Sequence, residues 1–131
     1  MRYVISISLL IAAIIHLLPV TGLAGGTRLN LLYGLDFGES NLAILMRHRA
    51  VLFGLLGVFL VYAAFKPAVQ TSAFVGALIS VISFIWLARS VGGYNAHIAR
   101  VVAADIIALI ALVLGCAAHV YALVRDAPAT P

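Results

Sequence analysis

The chain has 131 residues, of which 65% are hydrophobic and only 9% charged, and its mean hydropathy is +1.20. A soluble domain dresses its surface with charge on roughly a quarter of its residues, so a water-soluble globular fold is excluded. The formal charge of +4 comes from eight Lys and Arg against four acids. These flank apolar runs and form no basic patch, so no nucleic-acid partner is expected.

An apolar run of about 18 residues or more crosses a hydrocarbon core some 30 Å thick. The first such run is "YVISISLLIAAIIHLLPV", residues 3–20. Arg2 before it and the small residues of "TGLAGG" after it also give it the form of a secretory signal. Retention is the reading adopted, because removal would leave three helices and discard His16. A loop with five glycines, Gly22, Gly25, Gly26, Gly34 and Gly38, spans residues 21–40. Within it "TRLNLLYGL" suits a short helix lying in the membrane interface.

The second span is expected over residues 41–65, followed by a tight hairpin at Lys66-Pro67, with Pro67 fitting a first helical turn. The third covers 68–89. The polar loop "SVGGYNAH" fills 90–97, and the fourth span runs 98–124. The tail "RDAPATP", 125–131, is expected to be disordered. None of the four runs alternates apolar and polar residues, so helices fit and barrel strands do not. The expected fold is all-α: a single-domain integral membrane four-helix bundle over residues 1–131, both termini on one side.

Small residues recur every fourth position at Ser72, Gly76 and Ser80, with Ser83 beside them, and every third or fourth at Ala104, Ala108, Ala111 and Gly115. Such faces let membrane helices approach closely. The single cysteine, Cys116, excludes an intramolecular disulfide and a Cys-x-x-Cys redox site. Counting every arginine, the positive-inside rule puts the loops 21–40 and 90–97 in the cytoplasm. Setting aside arginines that line a pocket makes the two sides equal, so orientation stays open.

The polar residues collect at the loop end of the bundle. His16 closes the first span. Arg47, His48 and Arg49 open the second, and Trp86 and Arg89 end the third. Tyr94, Asn95, His97 and Arg100 follow before the fourth apolar run, 101–124, with Asp105 about one turn inside it; Asp36 and Glu39 lie in the first loop. A carboxylate at such a depth is costly and seeks a partner within the bundle. Arg100 lies about 140° from Asp105 around a helix, so Arg47, Arg49 or Arg89 is the better candidate. Positions 47 and 49 differ by about 200°, so only one of them can point inward.

A plainer account stands beside the pocket. Terminal arginines snorkel, Trp86, Tyr94 and Tyr121 fit an aromatic belt, His16 can be a hydrogen-bonded interior residue, and an Asp105–arginine pair can fix register. His119 shares a helix stripe with Asp105, Leu112 and Cys116, but 14 residues, roughly 21 Å, separate it from Asp105. His16 and His119 thus sit at opposite depths, and no bis-histidine haem is expected. No paired spacing suggests a metal ligand set, and no cofactor is named by any motif.

Several four-helix families can be tested on residues. Small multidrug transporters need a carboxylate in the first helix, where this chain has only His16. Tetraspan junction proteins need extracellular cysteines. "MRHRA" is similar to the basic stretch of membrane glutathione and leukotriene enzymes, but their accompanying Asn and Glu are absent from "VLFGLLGVF". "NLAILMRHRAVLFGLLGVFLVYAAF" and "FIWLARSVGGYNAHIARVVAADIIAL" resemble the DoxX-like small bacterial membrane proteins, over most of the chain. The resemblance implies a four-helix bundle of the bacterial inner membrane, with some relatives tied to quinones or redox complexes. The chain has no His-x-Gly-His turn, so a phosphopantetheine adenylyltransferase activity is not expected.

The functional expectation is therefore a binding or accessory protein. Its polar end, formed from His16, Arg47, His48, Arg49, Trp86, Arg89, Tyr94, Asn95, His97, Arg100 and Asp105, would hold an amphipathic molecule such as a lipid or quinone. Membrane lipid, quinone, a partner membrane subunit and a second copy of the chain are the partners considered. The alternative is a membrane enzyme on a lipid, sterol or quinone-like substrate. His16, His48 or Asp105 would then be the acid–base group and an arginine would stabilise developing charge.

Overall fold

Pro19 has no amide hydrogen to give the Ile15 carbonyl, and α1, Arg2–Leu17, ends just before it and tightens into a 3₁₀ turn at Leu18–Ala24. The protein is seen here as a computed structural model that describes residues 1–24, 26–36 and 38–125. The remaining α-helices are α2, Gly26–Tyr33, α3, Ser40–Phe65, α4, Gln70–Val91, and α5, Ala96–Arg125. A 3₁₀ turn at Pro67–Val69 joins α3 to α4. No strand occurs among the described residues. Residues 126–131, and with them most of the tail expected to be disordered, lie outside the described residues; Arg125 is helical.

Four segments are long and apolar enough to cross a membrane: Arg2–Leu23, Ser40–Phe65, Pro67–Val91 and Ala96–Arg125. Their outer faces carry large side chains such as Ile14, Leu55, Val58, Ile79 and Leu114, all more than half exposed. In water this would be an oversized apolar patch; in a bilayer it is the solvated surface. The all-α bundle of a multi-pass membrane protein follows.

α1 is the central helix, packed along α3 on one side and α5 on the other, while α4 packs mainly on α5. The core between them is rich in alanine, with Ala12, Ala13, Ala63, Ala73, Ala77 and Ala108 fully buried around Leu9, Leu60, Phe74 and Leu112. Apolar lipid tails compete equally for large side chains, so close backbone approach, not hydrophobicity, holds such helices together. α5 uses its expected small face, burying Ala108 and Gly115. α4 does not: Ser72 is exposed and Gly76 half-buried, and the helix buries Ala73, Phe74, Ala77 and Val81 instead. The inward stripe is one residue over, where Ala73 and Ala77 let the backbones approach.

Hydroxyl and amide groups inside the bundle are satisfied locally. Ser6 Oγ donates to the Ala64 carbonyl at 2.6 Å and Gln70 Nε2 to that of Ala63 at 3.2 Å. Thr71 Oγ1 lies 2.9 Å from His119 Nε2 at the terminal end. Among the described residues no buried side-chain nitrogen or oxygen lacks a partner, as an apolar surround demands. α2 forms a smaller cluster at the opposite end, with Leu29 and Tyr33 buried against Met46, Ile98 and Val101.

A polar cavity at one end of the bundle

α1 delivers His16 in its last turn, fully buried. His16 Nδ1 stands 2.8 Å from the Ala12 carbonyl oxygen, which can only accept, so Nδ1 carries the proton. In the neutral ring Nε2 then accepts from Ser80 Oγ of α4 at 3.2 Å. Both ring nitrogens are thus engaged, and the ring packs on Phe53 at 5.6 Å between centroids.

α3 turns Arg49 inward. Its guanidinium carbon lies 4.9 Å from the Phe53 ring centre, 5.3 Å from Phe84 and 5.7 Å from Tyr33. Rings from α3, α4 and α2 therefore shelter the cation by their negative faces. Its N–H groups make no hydrogen bond or ion pair within 4.0 Å among the described residues. Arg49 is the charged neighbour that acts on Asp105 of α5, yet no cation among the described residues stands within 4.0 Å of that carboxylate either. An acid and a base thus face one space without closing on each other.

That space is a cavity of about 260 Å³. Tyr33, Arg49, His97, Arg100 and Asp105 give it polar groups beside His16, and Ile15, Leu18, Leu31, Leu32 and Val101 give it an apolar wall. Burial pushes the Tyr33 phenol above its ordinary value; the Arg49 guanidinium pulls it back and the Asp105 carboxylate adds to the rise. Tyr33 is therefore a neutral hydroxyl beside both charges.

Asn95 ties the cavity's roof to its wall. Its Oδ1 accepts from the Ile98 amide at 2.9 Å, capping α5. Its Nδ2 donates to the Tyr33 carbonyl at 2.8 Å and the Gly34 carbonyl at 3.3 Å, holding the end of α2. Gly34 has φ +62°, and a β-carbon there would meet His97 Cδ2 at 2.6 Å, so only glycine fits this junction.

Of the sequence-nominated residues, His16, Arg49, His97, Arg100 and Asp105 line the cavity and Asn95 braces it. Arg47, His48, Trp86, Arg89 and Tyr94 lie outside the lining and are exposed. Arg47 and His48 are carried off the inward face by the helical rotation that places Arg49 on it. Trp86 and Arg89 occupy outward positions on α4, and Tyr94 follows Gly92 and Gly93, whose φ of +66° and +63° turn the chain away.

Tyr33, Phe53, Phe84 and Ser80 were not singled out for the site by sequence. Phe53 alone carried a local signal, four residues after Arg49 on one helix face. Among the described residues no three His, Cys, Asp or Glu side chains gather closely enough to hold a metal ion. None of the protein-family models, curated proteins or solved structures compared with this chain matches it.

Proposed function

We propose that this chain is a binding protein of the bacterial inner membrane. Its cavity takes the polar head of an amphipathic molecule, a lipid or quinone, or else is the contact through which the chain acts as accessory subunit of a membrane complex. One observation carries the reading: Arg49 and Asp105 line one cavity, and among the described residues neither makes a side-chain hydrogen bond or ion pair. Ionisable residues at membrane depth are expensive and are kept where they serve a site. A structural pair would close into an ion pair and gain Coulomb energy; this one is held open by three aromatic rings. The resemblance to DoxX-like proteins bears on the four-helix bundle more than on its role.

The enzymatic alternative draws less support. His16 has both nitrogens engaged and His48 is exposed. The test is native mass spectrometry of protein purified in mild detergent, wild type against Arg49→Ala, with extraction of any bound molecule. A stoichiometric adduct lost from the folded variant is the expected result. An empty wild-type protein would remove the stable-ligand reading and leave the partner-subunit one.

A further inference from the structure

The polar cavity is bounded by Ile15 of α1 and by Arg100 and Ala104 of α5. A second hollow, of about 370 Å³, lies between Ile7, Ser8 and Ile11 of α1 and Ile107, Ala111 and Leu114 of α5. Ile11 and Ile15 are one helical turn apart, as are Ala104 and Ile107, so about 5 Å separates the two spaces. At about 100° per residue, Arg100, Ala104, Ile107, Ala111 and Leu114 fall within an arc of roughly 80° on α5. Ile7, Ser8, Ile11 and Ile15 fall within roughly 100° on α1. The cavity and the hollow are successive stretches of one seam.

Their chemistry differs end to end. Ser8 is the one polar side chain in the second hollow, and its hydroxyl donates to the Ile5 carbonyl of its own helix at 2.8 Å. Nothing there receives a polar group. Ile7, Ile107 and Leu114 are more than half exposed at its rim, so it opens to the lipid. In the cavity, two guanidinium groups stand against one carboxylate before His97 is counted, which favours a negative guest. At about 260 Å³ it falls below the roughly 300–1,000 Å³ of a typical small-molecule pocket, so it holds a head and not a whole amphiphile.

We propose that the α1–α5 seam binds an acidic amphiphile with one hydrocarbon chain, its carboxylate or phosphate head forked by Arg49 in the cavity and its chain laid in the groove beside Ala111. This rests on the head-binding reading above and adds the charge of the head, the number of chains and their path. Arg49 has planar donors that two anionic oxygens match and that no described residue engages, and the rings hold it ready. The groove is the width of one interhelical seam, so a second chain would have to ride over the ridge of α1 or α5.

The test uses the full chain in phosphatidylcholine nanodiscs with palmitate carrying a mid-chain diazirine, beside its methyl ester and an alkyl phosphate bearing the same group. Cross-linked peptides are then mapped. Labelling by either acid should concentrate on residues 4–11 and 107–114, exceeding that by the ester roughly tenfold, the scale of one charge-assisted hydrogen bond. Arg49→Gln should abolish the preference. Ala111→Phe fills the groove without touching a charge and should move the label toward the cavity. The acid–ester comparison on wild type keeps the test valid if either variant fails to fold.

Equal labelling by acid and ester, or acid label spread evenly over α3 and α4, would overturn the proposal. Acid-selective label confined to the cavity would overturn the groove path while leaving head binding intact, as would a co-purifying molecule without an acidic head overturn the head's charge. No acid preference together with an empty purified protein would end both readings.

Discussion

A β-carbon built on Gly115 would stand 2.5 Å from the Ser8 β-carbon, closer still to its hydroxyl, and 3.1 Å from Phe74 Cε1. α1 and α5 meet backbone to side chain at this point, and any added methyl must push them apart. Gly115→Ala should lower stability by about 1–3 kcal/mol, the ordinary cost of overpacking. The double variant with Ser8→Gly should recover most of that loss, a coupling read by a double-mutant cycle of unfolding in detergent. Equal loss in single and double variants would mean that the two residues do not share this contact. Gly115 was visible in the sequence, because the spacing of small residues on its helix is itself the packing signal; its partner Ser8 was not. Nor was the aromatic shelter of Arg49. Tyr33 and Phe84 reach it from other helices, and no local spacing links residues so far apart in the chain. That one of Arg47 and Arg49 must face inward followed from helix geometry; which one needed the packed bundle.

At the scale of elements, α3 begins on Glu39, whose carboxylate accepts from the Asn41 amide at 2.9 Å and the Leu42 amide at 2.7 Å. These bonds hold its pKa below the ordinary value. A carboxylate depressed on folding adds stability that is complete above the unfolded-chain value near 4.5 and fades as pH falls through the lower folded value. Hydrogen exchange at the Asn41 and Leu42 amides should therefore quicken, relative to the rest of α3, as pH drops below about 4.5. Glu39→Gln should be faster at neutral pH and lose that pH dependence; an unchanged variant would show that the cap does not hold the turn. The four spans and the short α2 could be read from apolar runs and glycine-rich punctuation. Their inward faces could not. α3 has almost no apolar asymmetry around its circumference, because lipid-facing and core-facing residues are equally hydrophobic. The same indifference let the serine stripe of α4 stand in for the alanine stripe one residue away.

The whole molecule has two unlike ends. Arg2, Lys66 and Arg125 belong to the end with the hairpin turn, and the cavity lies at the other, where α2 and the loop before α5 meet. Four crossings put these ends on opposite sides of the membrane. In a Cys116→Ala background, Lys66→Cys and Ser90→Cys should react with a membrane-impermeant maleimide from opposite sides, one in intact cells and the other in inverted vesicles. Reaction of both from one side would remove a crossing from the topology. The result also fixes which side the cavity faces, the one point on which arginine counting is divided.

Asn95 joins segments 62 residues apart through a single carboxamide. Because that group is planar, one torsion sets both its atoms: the rotamer that caps α5 is the rotamer that grips α2. The end of α2 is therefore tied to the first turn of α5, the turn that carries His97. The roof and the basic wall of the cavity are thus fixed to each other through one side chain.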